Sequence, residues 1–227
     1  MDAILRAIVN DDRVRVKSLL KDDASLATRQ VSEAKLYQKG IFHWLYVGDT
    51  ALHLAAAGSR TDIVRILLAA GADPNVRANH RRSGPLHYAA DGFVTGPCWD
   101  PIEQVKTIRV LLEAGAEINA QDKNGATPLH RAVRTRCAAA VDCLLSARAD
   151  PKIRNNPGST PFHLAVQTTG RGGSGEQIAR DAQRKIIELF LAAGISPGLK
   201  DGKGKSVLDW TRSESIRTML VPPAKRR

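Results

Sequence analysis

Apolar residues along this chain fall three or four positions apart in short runs, with polar turns between them. IVRILLAAGADPN, IRVLLEAGAEIN, VDCLLSARADP and IIELFLAAGISP all carry that spacing, which predicts an amphipathic helix in each. Three of these helices are expected to stop at Gly71, Gly115 and Gly194, where a left-handed residue without a Cβ closes the last turn. Arg148 holds that place in the remaining run; a left-handed backbone there costs roughly 1 to 2 kcal/mol, so a looser turn is expected. The ends repeat the pattern with a wetter outer face. Over residues 2–20, Ile4, Leu5, Ile8, Val16, Leu19 and Leu20 point one way and Arg13, Arg15 and Lys17 the other. Leu208, Trp210, Ile216, Met219 and Leu220 do the same before Pro222 and Pro223 break the helix.

A short phrase precedes the runs and returns five times: Asp49-Thr50-Ala51-Leu52-His53, Ser83-Gly84-Pro85-Leu86-His87, Ala126-Thr127-Pro128-Leu129-His130, Ser159-Thr160-Pro161-Phe162-His163 and a degraded Lys205-Ser206-Val207-Leu208-Asp209. From Thr50 to Gly84, Thr127, Thr160 and Ser206 in turn the intervals are 34, 43, 33 and 46 residues, a period of about 33 with additions in alternate units. Thr50, Thr127 and Thr160 suit a helix N-cap, and Pro128 and Pro161 suit the first helical position, where a missing N–H is harmless. Gly84 replaces the threonine in one unit, at a cost of a few tenths of a kcal/mol. Small pairs such as Ala55-Ala56 let neighbouring helices approach closely.

Together the phrase and the leucine runs resemble the ankyrin repeat, whose TPLH-x-A and LL-x-x-GA pattern covers nearly the whole chain. The resemblance implies an all-α solenoid of stacked helix-turn-helix hairpins with protruding β-hairpin loops, and a binding module rather than an enzyme. It divides residues 1–221 into a cap at 1–29, an inserted finger at 30–47, repeats at 48–81, 82–124, 125–157 and 158–203, and a second cap at 204–221; a basic tail occupies 222–227. It also implies that His53, His87, His130 and His163 tie hairpins together through backbone bonds, since a catalytic histidine has no reason to recur at the repeat period.

Charge sharpens this picture. The net +11 is concentrated in one half: Lys and Arg number 15 against 14 Asp and Glu up to residue 120, and 19 against 9 beyond it. Such an excess attracts an acidic protein surface or a polyanion, or simply keeps the surface solvated. In the ankyrin family partners meet the hairpin tips and the exposed side of the first helices. Carried over, those positions include Arg77, Arg81, Lys123, Arg154, Lys203 and Lys205 at tips and Arg134 on a first helix. The basic excess and the family's binding surface therefore coincide. The expected partner is another protein, probed by an acidic surface, with nucleic acid as the second reading.

Three insertions interrupt the array. The one at 30–47 carries Tyr37, Phe42, Trp44 and Tyr46, four of the chain's ten aromatic residues, and lengthens a hairpin finger. Phe42, Trp44 and Tyr46 either project as anchors or fold back as a local core; apolar residues on both faces of the segment favour at least partial burial. The other two separate the helices of one pair, near 91–103 with Phe93, Cys98 and Trp99, and near 168–180. Trp99 joins Trp44 as a candidate anchor. The second contains a glycine run at 170–175 that fits GxGxxG; without a preceding strand it reads as a flexible linker.

No catalytic, metal or cofactor motif accompanies these features. Cys98, Cys137 and Cys143 lack metal-ligand spacing and suit a reducing compartment. With no long apolar stretch and no signal-peptide core, the expectation is a cytoplasmic protein away from membranes.

Overall fold

The structure, a computed structural model, describes residues 2–37, 40–92, 99–167 and 177–221. Phe93, Cys98, the glycine run at 170–175 and the tail at 222–227 lie outside the described residues. Among the described residues twelve α-helices follow one another in six successive pairs, the first five of which pack helix on helix: α1 (Asp2–Val9) with α2 (Arg13–Asp22), α3 (Ala51–Ala57) with α4 (Thr61–Ala69), α5 (Pro85–Ala90) with α6 (Pro101–Glu113), α7 (Pro128–Arg134) with α8 (Ala138–Ser146), α9 (Pro161–Ala165) with α10 (Gln177–Ala192), and then α11 (Val207–Trp210) and α12 (Glu214–Leu220). First helices stack in the order α1, α3, α5, α7, α9, α11, and second helices in the order α2, α4, α6, α8, α10. One apolar seam runs between the two rows, through Ile8, Leu52, Leu67, Leu111, Leu129, Leu144, Phe162 and Phe190. No helix among the described residues is long and apolar enough to cross a membrane.

The phrase builds both the helix start and the joint to the next unit. The backbone N–H of Thr50 donates to His53 Nδ1 at 3.0 Å, and Gly84 and Thr127 donate likewise to His87 and His130 at 3.1 Å. An N–H has only a proton to give, so Nδ1 is the bare nitrogen and Nε2 carries the hydrogen. That second N–H donates at 3.1 Å to a carbonyl of the following hairpin: His53 to Ser83, His87 to Ala126, His130 to Ser159 and His163 to Lys205. Burial pushes all four rings below the usual histidine range, His87 down to about 4. In the last copy Asp209 accepts the Ser206 N–H at 2.7 Å and so supplies the capping half alone. Thr127 caps as expected, accepting the His130 N–H at 3.4 Å. The Thr50, Thr127 and Thr160 hydroxyls all donate to the rings of His53, His130 and His163, at 3.1, 2.9 and 2.8 Å.

Arg148 corrects an expectation. Its φ of +68° matches the left-handed Gly71, Gly115 and Gly194, and the amide after it bonds Leu144 O at 2.9 Å, as the Ala72, Ala116 and Ile195 amides bond Leu67, Leu111 and Phe190. The turn is no looser than its glycine counterparts, because that six-to-one bond holds the backbone in place whatever the side chain.

The insertions between paired helices are partly helical. α6 and α10 span 13 and 16 residues where α4 and α8 span 9, so the expected loops give way to extra helix from Pro101 and Gln177 onward. In three of the four uninterrupted pairs the first helix ends on a left-handed residue, Asp11, Ser59 or Arg136, whose following amide bonds back into the helix. In the two interrupted pairs glutamine replaces that arrangement: Gln104 Nε2 donates to Ala89 O at 2.9 Å, and Gln183 Nε2 to Ala165 O and Gln167 O at 2.8 and 2.6 Å. Both amides are buried, and Arg136 donates to the same Ala165 and Gln167 carbonyls at 3.1 and 2.8 Å.

Candidate functional site

The fingertips are closed by side chains at a fixed distance before each phrase. Asn79 Oδ1 accepts the N–H groups of Arg81 and Ser83, Asp122 Oδ1 those of Asn124 and Ala126, and Asp201 Oδ1 those of Lys203 and Lys205; Asn155 Oδ1 accepts that of Ser159. The sequence reading missed these four, although their intervals of 43, 33 and 46 residues equal those of the phrase. Polar residues at a tip look like ordinary solvated loop, and only their recurrence marks them.

The inserted finger differs from the others in being a true β-hairpin. Strands β1 (Lys35–Tyr37) and β2 (His43–Leu45) pair antiparallel with Leu36 opposite Trp44. Strand period two sends Ile41 and Leu45 into the core, with 2% and 1% of their surface exposed. Phe42 and Trp44 therefore face outward, 44% and 46% exposed, and Tyr46 is half-buried. This overturns the expectation of burial for Phe42 and Trp44: the residues between the aromatics, not the aromatics, are the ones that fold back.

Asp49 fixes the finger's base. The carboxylate is fully buried and accepts from Tyr46 N at 2.7 Å, Asn79 Nδ2 at 2.7 Å and Tyr88 OH at 2.6 Å. Burial and this carboxylate push the Tyr88 hydroxyl far above its usual range, so it stays a donor. From that hub the aromatic finger meets the basic tips. The Arg81 guanidinium lies 5.0 Å from the Tyr46 ring centre and donates from Nη1 to its hydroxyl at 2.8 Å. Trp44 stacks at 6.3 Å on the same ring, whose edge meets His80 at 5.1 Å.

Beside it lies a buried ionic cluster. Arg131 donates to Asp122 at 2.6 Å, Ser83 Oγ at 3.0 Å and Asp91 at 3.1 Å, while its Nε has no partner among the described residues. Arg134 approaches the same Asp91 oxygen at 3.6 Å, and His43 Nε2 of the finger lies 3.9 Å from that oxygen. Burial opposes ionisation of Asp91, yet His43, Arg131 and Arg134 hold it below the ordinary carboxylate range. Arg131 was not singled out in the sequence; its place four residues after Thr127, where Tyr88 and Trp210 follow Gly84 and Ser206, is the signal that was available.

The remaining candidates scatter. Arg77 pairs with Glu117 at 3.0 Å, and Arg154 donates to Lys200 O at 2.9 Å. The Lys123 amide ties its tip to Arg81 O at 2.8 Å and leaves its side chain exposed. Lys203 and Lys205 are exposed beside Gln167, Trp210 and Arg212, around a cavity of about 480 Å³. Trp99 turns inward, donating to Gln104 Oε1 at 3.1 Å, and is half-buried. Cys137 and Cys143 are buried, which raises both thiols and makes them poor nucleophiles. Among the described residues no group of three or more His, Cys, Asp or Glu side chains is arranged to hold a metal ion.

Stacked helix pairs, histidine joints and a row of closed tips define a helical-repeat scaffold of the kind that generally binds other proteins. The chain belongs to the ankyrin repeat family: profiles described as "Ankyrin repeats (3 copies)" and "Ankyrin repeat" match residues 102–201 and 47–79. It is similar to mouse "Ankyrin repeat and SOCS box protein 6", 38% identical over 84 residues, which are 37% of this chain and 18% of that protein. It is also similar to a probable serine/threonine-protein kinase of Dictyostelium discoideum, 34% identical over 87 residues, 38% of this chain and 9% of that one. Alpha-latrotoxin-Lt1a of Latrodectus tredecimguttatus is 38% identical over 89 residues, 38% of this chain and 6% of the toxin. The chain thus matches less than a fifth of the length of each of these relatives.

Proposed function

We propose that this chain is a non-catalytic protein-interaction module whose aromatic finger, basic tips and first helices receive a partner with an acidic surface. The observation that carries this reading is the seating of Arg81 on Tyr46 beside the exposed Trp44, which joins an apolar anchor and a fixed cation on one side of the stack. Binding energy comes from the aromatic surface, because a rigid indole buries large area at small entropic cost. Lys123, Arg134, Lys203 and Lys205 add orientation and encounter rate along the array.

A photo-crosslinking amino acid in place of Trp44, compared with one in place of the exposed Val14 on α2, tests the surface. Protein adducts at Trp44 and none at Val14 are expected; equal labelling at both positions contradicts the assignment. The alternative, a polyanion bound by the C-terminal half, predicts nucleic-acid adducts near Lys203 and Lys205 and an affinity that falls steeply with salt through counterion release.

A further inference from the structure

Two arginines beside the finger keep donors that no carboxylate fills, and they sit against an aromatic wall. No carboxylate among the described residues lies within ion-pair distance of Arg81, whose partners are the Tyr46 ring and hydroxyl. Arg134, with 54% of its side chain exposed, has one acidic partner, Asp91 at 3.6 Å, and that carboxylate already serves Arg131 at 3.1 Å. Arg131 in turn spends its remaining reach on Asp122 and Ser83. Two arginines therefore have unfilled donors, held in place by a finger that Asp49 pins at its base. Burial pushes the Arg134 guanidinium below its usual range, and Arg131 and Arg81 act in the same direction, which places the three arginines near one another.

Resting on the interaction-face reading, we infer that Arg81 and Arg134 together take one carboxylate side chain of an extended partner segment, while Trp44 takes the aromatic or aliphatic side chain next to it. A carboxylate matches the planar fork of guanidinium donors and brings the charge that the unfilled donors of Arg81 and Arg134 lack. A nucleic-acid backbone fits less well. Arg77 is already paired with Glu117 and Arg154 is tied to a backbone carbonyl, which leaves fewer free cations at the tips for successive phosphates.

A displayed library of random peptides, selected on the purified full chain, tests this. Enriched sequences are expected to carry Asp or Glu within two positions of Phe, Tyr, Trp, Leu or Ile. A synthetic copy of the consensus is expected to bind about tenfold or more weakly to Arg81→Gln, Arg134→Gln and Trp44→Ala variants whose melting curves match the parent. Arg81→Lys, which keeps the charge and loses the fork, is expected to recover part of the loss. Selection that yields no acid-bearing consensus, or an oligonucleotide that competes for the same three residues, overturns the inference. If both glutamine variants bind unchanged while Trp44→Ala and a Lys203→Glu, Lys205→Glu variant lose the peptide, the clamp is wrong and the interaction face stands. If all of them bind unchanged, both readings fall.

Discussion

Each repeated histidine is a two-ended joint, neutral by construction. Its bare Nδ1 takes an N–H, or at His163 the Thr160 hydroxyl, at the start of its own helix and its Nε2–H reaches the next hairpin, so protonation breaks the first bond. The folded rings lie below the usual value of about 6.5, and the unfolded chain recovers that value, so unfolding takes up protons as the pH falls. Stability is therefore expected to be flat above about pH 7 and to fall through the window down to about 4, where His87 itself titrates in the fold. Urea midpoints followed by circular dichroism read this directly, and a midpoint unchanged between pH 7 and 5 contradicts it. His130→Ala strands a buried amide at Thr127 and removes one of two donors to the Ser159 carbonyl, which keeps the Asn155 N–H, and is expected to lower stability by about 2 to 3 kcal/mol, measured by denaturant unfolding. Most of this chemistry was legible in the sequence, because a histidine copied at the repeat period has to be doing something the repeat needs.

At the level of elements, what was legible depends on how local the cause is. The phrase declares each first helix because cap, proline and histidine act within four residues of one another. The orientation of the finger was not declared, since apolar residues occupy both of its faces and the choice is made elsewhere: Leu45 and Ile41 dock in the core, and Asp49, tied to Asn79 and Tyr88 of later units, fixes the base. Leu45→Ala is accordingly expected to cost about 2 to 4 kcal/mol, and Trp44→Ala less than about 1 kcal/mol, in the same unfolding assay. Equal losses would mean that the two faces are assigned the wrong way round. The insertions between paired helices were legible as extra length only. Their consequence, a glutamine doing the work of a left-handed turn, depends on Gln104 and Gln183 facing the ends of α5 and α9, which periodicity alone does not reveal.

For the whole molecule, regularity sets the scaffold and its interruptions set what it presents. Two features that looked separate along the chain, an aromatic insertion at 30–47 and basic residues at later tips, meet at the Tyr46–Arg81 contact. The basic excess continues past them to Lys203 and Lys205, so on the proposed reading a partner spanning the array would be gripped by apolar contact at one end and steered by charge along the rest. The most direct test of that account is the dissociation constant of the protein partner crosslinked at Trp44, measured at about 50 and 200 mM salt for the parent chain and for Arg134→Glu, Lys203→Glu, Lys205→Glu combined. The account predicts about tenfold or more weaker binding for the triple variant, with a salt dependence in the parent far shallower than counterion release from a polyanion gives. A triple variant that binds its partner as tightly as the parent would contradict it.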